Sequence, residues 1–416
     1  MAHATETSVK WYKSGMQSVP WPYGGSYGST PYAIMCSIFK ACLVDGFNTM
    51  TMDSVVVTSG VARATRSLGH GFVFDQIVLV AGATPSGLNG EKRVLVATAS
   101  YIEFDATGIA DGNATGTITI KTAPAGWEAP YADLAAFKLV LRSPNTATQR
   151  SYFRIYEGDT YGLSQRQIAA YRLMTDIDTG SDQWHGFVAE SQGLAAPINN
   201  AGGAYWSTWG PGEWLIVADN STVWFWLLAN VISTYARTVW MGGFGTFHSF
   251  KSNDSGNDFC MAGSTSTQGF GRTIAGGGLL SAVLTGSGSR ATIMRGAGGL
   301  LGNNMNYGYG AMNINSASGW QGPSFPSPVD NGLMLSDALF RESLDGSLRG
   351  KNRGLYWCMQ DRPLGSFCPG NTITGVSGLE GRTLLLVPFT PCNGLSSPSP
   401  AQDGRVAVDL TGPWEL

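Results

Sequence analysis

Short apolar, β-branched runs punctuated by glycine, asparagine and aspartate fill residues 54–121. Val55-Val56-Val57 faces Val61-Ala62-Arg63-Ala64-Thr65-Arg66 across Ser59-Gly60, where glycine takes positive φ at no steric cost. His70-Gly71-Phe72 leads into Gln76-Ile77-Val78-Leu79-Val80, a β-branched run bounded by Gly82. Asn89-Gly90 predicts a type I′ turn into Arg93-Val94-Leu95-Val96. Tyr101-Ile102-Glu103-Phe104 and, after Asp111-Gly112, Thr117-Ile118-Thr119-Ile120 complete the set. About six short strands in fewer than about 75 residues predict a compact β-sandwich or barrel.

One helix precedes this module. Ser29-Thr30-Pro31 supplies a hydroxyl cap and a first-turn proline, and Tyr32, Met35, Cys36, Phe39 and Leu43 recur at helical spacing before Gly46. Its apolar stripe is expected to pack on the β module that follows. Residues 1–28, with Trp11 and Trp21 among Gly, Pro and Ser, read as an extended N-terminal arm. Two placements are open for it: on a neighbouring subunit, or as a strand on its own domain.

Ala123-Pro124-Ala125-Gly126-Trp127 marks a boundary. Beyond it lies a larger, loop-rich all-β region. Strands are predicted at 137–141 and 151–156, and a hairpin joins 213–217 to 222–228 across Asp219-Asn220-Ser221. Residues 165–174 suit a short helix or a strand equally. Residues 252–325 are dominated by Gly, Ser, Asn and Thr, which predicts short strands joined by exposed loops. Strand patterns return at 383–387 and 405–409. The expected class is therefore mainly β: an arm over 1–28, helix plus small β module over 29–126, and a second domain over 127–416.

Composition changes this picture in one respect. Of 416 residues, 43% are hydrophobic and only 13% are charged, against about 25% charged in ordinary soluble domains. Gly 56, Trp 13, Tyr 15 and Phe 18 add many turns and large faces. So little charge predicts a surface largely covered by other subunits.

A net charge of −3 gives no footprint for nucleic acid. The polar start, Met1-Ala2-His3-Ala4-Thr5-Glu6-Thr7, reads as no signal peptide. Val223-Trp224-Phe225-Trp226-Leu227-Leu228 is far shorter than the ~20 residues that span a bilayer, so no membrane insertion is expected. The six cysteines (Cys36, Cys42, Cys260, Cys358, Cys368, Cys392) form no C-x-x-C pair and have no histidine at zinc-ligand spacing. Most are expected to be buried as small hydrophobes; a Cys358–Cys368 disulfide stays open.

Chemistry is sparse. The histidines, His3, His70, His185 and His248, belong to no metalloprotease motif, and no nucleophile elbow or phosphate loop occurs. His70 between Gly69 and Gly71 reads as a turn histidine bonding its own backbone. Asp176-Ile177-Asp178-Thr179-Gly180-Ser181-Asp182 alternates carboxylates around glycine, as calcium loops do, but lacks the closing bidentate glutamate. A solvated acidic turn is the expectation. Asn253-Asp254-Ser255-Gly256-Asn257-Asp258 is a weaker version of the same pattern. No cofactor, metal or catalytic residue is assigned, and the chain is expected not to be an enzyme. Trp206, Trp209, Tyr307 and Tyr309, beside polar residues, are candidate glycan contacts, with aromatic packing in a core or interface as the weightier reading.

The runs Ala41-Cys42-Leu43-Val44-Asp45-Gly46-Phe47, Gly60-Val61-Ala62, Gly69-His70-Gly71-Phe72, Gly82-Ala83-Thr84 and Asn89-Gly90-Glu91 carry a resemblance. So do Asp111-Gly112-Asn113-Ala114-Thr115-Gly116-Thr117, Gly126-Trp127-Glu128, Met174-Thr175-Asp176-Ile177-Asp178-Thr179-Gly180 and Asp409-Leu410-Thr411-Gly412-Pro413-Trp414. In these the chain resembles a family of structural, tail-associated virion proteins of tailed bacteriophages, densely over 8–180 and again at the C-terminal run. The resemblance implies a virion component made in the host cytoplasm, carrying no known chemistry and hence no catalytic residues. The expectation is a tail-tip or baseplate subunit that packs in a symmetric ring with copies of itself and other virion proteins. Alternatives are a neck or capsid-surface protein, or an adhesin or depolymerase that contacts host surface glycan through 252–325.

Overall fold

The computed structural model describes residues 5–18, 35–160, 163–185, 213–228, 239–262, 290–295, 301–309, 326–327, 329, 332–342, 347–358, 371–389 and 404–414. The protein is mainly β, with 51% strand against 6% helix, in several antiparallel sheets.

The small module has two sheets. One orders Phe47–Thr51, Thr119–Thr122, Ile77–Ala81 and Gly90–Arg93; the other orders Val96–Ala97, Tyr101–Asp105, Val61–Thr65, Ser54–Thr58 and Gly112–Asn113. Val55, Val57, Ala62, Ala64, Val78, Val80, Ile102, Phe104, Ile118 and Ile120 alternate inward and form one core between them. Ser59 (φ 51°) and Gly60 (φ 76°) make the tight turn that sets Thr58 opposite Val61. The expected Asn89-Gly90 turn is not formed. Asn89 is extended (φ −73°, ψ 160°), and its amide closes residues 83–89 by bonding the Ala83 N–H and C=O, both at 2.8 Å. Its side chain replaces the turn backbone, while Leu88 drops into the core.

The helix runs as α over Met35–Phe39 and widens to π over Lys40–Asp45; its predicted cap lies outside the described residues. Its stripe does not pack on the small module. Met35, Cys36, Ile38, Phe39, Cys42 and Leu43 join the core of the second region instead, with Phe39 edge-on to Phe225 at 5.4 Å. The linker accounts for this: Ala125, Gly126 and Trp127 donate their N–H groups to Cys42 and Leu43 carbonyls. The wide turn closes through Gly46 N–H to Ala41 O. Gly46 has φ 73°, and a Cβ there would lie 2.5 Å from Thr122 O, so no other residue fits.

The second region has two layers. Glu128–Asp133, Lys138–Arg142, Tyr152–Thr160, Leu163–Met174 and Gly180–His185 form an antiparallel meander. Residues 165–174 are thus strand. Beside the meander lies a sheet with thirteen described strands: Lys10–Lys13, Glu213–Ala218, Thr222–Leu228, Val239–Thr246, Asp258–Ala262, Arg290–Arg295, Leu301–Tyr309, Leu335–Glu342, Leu348–Cys358, Gly404–Asp409, Thr383–Phe389 and Thr372–Thr374, with His248–Ser249 pairing Leu348–Cys358. That last pairing bends the sheet back on itself. Phe153, Trp127 and Trp184 of the meander side meet Phe244 and Phe225 of the sheet, with Trp127 edge-on to Phe244 at 5.4 Å. Trp224, Phe259, Phe340 and Phe247 pack together on the other face. Both faces of Val223-Trp224-Phe225-Trp226 are therefore buried, which explains an unbroken apolar run in a strand.

Of the two placements open for the arm, Lys10–Lys13 takes the second: it is an edge strand of its own chain's sheet, pairing Glu213–Ala218. Tyr12 is fully buried, and its hydroxyl donates to Ala123 O at 2.8 Å. Residues 409–414 close the structure under three arginines. Arg93 donates to Glu6 O and Thr411 O, and Arg353 to Trp414 O and Asp219. Arg382 donates to Pro413 O and pairs with Asp409. Segments far apart in sequence are locked into one body by charge-assisted bonds.

Candidate interaction surfaces

Residues 66–76 connect Val61–Thr65 to Ile77–Ala81, and hydrogen bonds from neighbouring segments and from the loop itself hold this stretch. Ser67 donates its N–H and hydroxyl to Asp53 Oδ2 at 2.7 and 2.8 Å, bonds that hold the exposed Asp53 carboxyl below its ordinary pKa. His70 is buried and stacked on Phe72; its Nδ1 accepts the Phe72 N–H at 3.0 Å, as expected of a turn histidine. Asn48 donates to His70 O at 2.8 Å, and Val73 N–H to Gln76 Oε1 at 3.0 Å. Burial lowers the His70 pKa, so the ring is neutral at pH 7. On this fixed backbone Leu68 is 87% exposed and Phe74 61% exposed.

A second rigid projection is the 247–257 hairpin. Asp254 accepts from Arg349 Nε and Nη2, both at 2.7 Å, from the Ser249 hydroxyl at 2.7 Å and from Gly256 N–H at 2.9 Å. Burial pushes its pKa up, but these bonds and the Arg349 charge outweigh that, so it lies below the ordinary value. Phe250 N–H meets Arg349 O at 2.9 Å. Phe250, one residue past the short strand His248–Ser249, and Leu348, on the strand that pairs with it, are about half exposed.

The outer side of the meander carries interleaved tyrosine and cations. Arg154 and Lys138 stand over Tyr156 at 5.5 and 5.6 Å, and Arg142 over Tyr152 at 5.1 Å. Glu128 bridges Arg142 and Arg150. In the acidic turn, Asp176 Oδ1 accepts the Asp178 and Thr179 N–H groups, both at 2.7 Å, and Asp178 pairs with Lys138 and Arg154. Its carboxylates are thus committed to turn and ion pairs. Among the described residues no cluster of three His, Cys, Asp or Glu is arranged to hold a metal, and no helix is long and apolar enough to cross a membrane.

Of the candidate glycan contacts, Trp206 and Trp209 lie outside the described residues. Tyr307 and Tyr309 sit on Leu301–Tyr309, opposite Phe340 and Ala338. Cys36, Cys42 and Cys260 are buried thiols; Cys368 and Cys392 lie outside the described residues, and Cys358 ends a strand. Nothing in the sequence marks Leu68, Phe74, Phe250 or Leu348, because an apolar residue in or beside a loop reads the same whether the chain folds it in or out. No family model matches the chain, and no curated protein matches it at a significant level.

Proposed function

We propose that this chain is a structural subunit of a tailed-bacteriophage virion, at the tail tip or baseplate, where it contacts copies of itself and other virion proteins. The observation that carries the assembly reading is the exposure of Leu68 and Phe74 on a loop held by hydrogen bonds with Asn48, Asp53 and its own His70 side chain. Burying such a side chain contributes about 1.5–3 kcal/mol. A loop already fixed in place loses little entropy on docking, so most of that gain goes into association. Low charge over the whole chain favours the same reading. The phage setting rests on the sequence resemblance, and a neck or capsid-surface position would use the same contacts.

Mass spectrometry of purified particles tests the setting: the chain is expected among the virion proteins, and its absence from particles refutes the proposal. The double variant Leu68→Ser/Phe74→Ser tests the surface. It is expected to keep the wild-type circular dichroism and melting temperature yet lose incorporation into particles. Incorporation at the wild-type level would overturn the role of this loop.

A further inference from the structure

Asp258 opens the strand Asp258–Ala262 where the meander lies against the large sheet, and it is buried. Its Oδ2 accepts the Ser151 N–H at 3.0 Å, from the meander side; its Oδ1 accepts the Thr246 hydroxyl at 2.7 Å, from the sheet. Both donors are neutral, and no cation pairs with it among the described residues. The surrounding charges are committed elsewhere. Asp254, on the same turn, takes Arg349. Arg150, beside Ser151, takes Glu128. Arg353 and Asp219, at the Thr222 strand next to Thr246, take each other. Arg295 meets this turn through its backbone N–H, at Gly256 O. An ionised carboxylate here is stripped of water, held only by the neutral donors of Ser151 and Thr246, and uncompensated by positive charge.

We propose that Asp258 is a proton-operated latch between the two layers: neutral, it holds the meander to the sheet; ionised, it loosens that seam. The Ser151 hydroxyl, which bonds Met294 Sδ and lies within reach of the carboxyl, can accept from the protonated acid. Burial raises the Asp258 pKa above its ordinary 3.8, the Asp254 charge adds to this, and the bonds from Ser151 and Thr246 only partly offset it. A raised folded-state pKa fixes the sign. The stabilisation is complete below the unfolded value and is lost as pH rises through the folded one. Asp254, four residues away with its pKa lowered, behaves oppositely.

Hydrogen exchange of the full-length protein, wild type against Asp258→Asn at each pH from 4 to 8, tests this on peptides covering 150–156 and 258–262. Comparison at matched pH cancels the intrinsic pH dependence of exchange. Wild-type protection is expected to fall relative to the variant, by up to about tenfold per pH unit, while Asp258 titrates. A ratio constant across the range overturns the latch. Should the variant not fold, infrared spectra of the wild type decide. A protonated-carboxyl band is expected to persist above the pH at which ordinary aspartates ionise and to fade together with seam protection; its loss together with the ordinary aspartates overturns the proposal.

Discussion

Replacing Arg353 with methionine removes the centre of the buried network that holds the C-terminal segment. The guanidinium is 2% exposed and its partner Asp219 6% exposed, 2.7 Å apart. It also donates to Thr222 Oγ1 and Trp414 O, both at 3.0 Å. Asp219 keeps bonds from the Ser221 and Thr222 N–H groups, so its carboxylate is not orphaned, but its countercharge is gone. Breaking a buried pair from one side costs about 3–5 kcal/mol. Methionine fills part of the volume and recovers some stem packing, which places the expectation near 3 kcal/mol, the low end. Adding Asp219→Asn removes the stranded charge, so the double variant is expected to be more stable than Arg353→Met alone. Urea unfolding followed by tryptophan fluorescence reads both changes, and Trp414 and Trp224 lie at the site. A loss below about 1 kcal/mol for Arg353→Met, within the range of exposed ion pairs, would refute the account of the network as a buried clamp.

Two further outcomes follow from the same structure. Asp254 carries the 247–257 hairpin through Arg349, and its lowered pKa means that its contribution is present above the unfolded value near 3.8 and lost as pH falls through the folded one; Asp254→Asn is expected to bring the acid-induced protease sensitivity of this hairpin to neutral pH, read by limited proteolysis. Cys36, Cys42 and Cys260 are buried, and burial drives the Cys42 and Cys260 thiols well above their ordinary pKa; peptide-level mass spectrometry is expected to find all three unlabelled by iodoacetamide until the protein is denatured.

What the sequence determines by itself is local. Ser59-Gly60 at positive φ, the Asp219-Asn220-Ser221 hairpin and the strands at 55–57, 61–65, 77–80 and 101–104 are properties of a few adjacent residues, and each is present. His70 bonding Phe72 N–H belongs with them, since both partners sit within two residues. The run expected as a strand over 93–96 is instead broken at Val94-Leu95, where the chain passes from one sheet to the other. Where the decision lies with distant groups, the pattern is silent or misleading. The helical stripe of Met35, Phe39 and Leu43 declares an apolar face but not its destination, which carbonyl bonds from residues 125–127 set. Asn89-Gly90 has the composition of a tight turn, yet Ala83 claims the asparagine side chain. Asp254 and Asp258 look alike in a polar turn. Only tertiary packing gives one an arginine 95 residues away and leaves the other buried against neutral donors. Local steric preferences act over a few bonds and survive in any context. Burial and charge pairing depend on which surfaces meet, and no short window of residues contains that information.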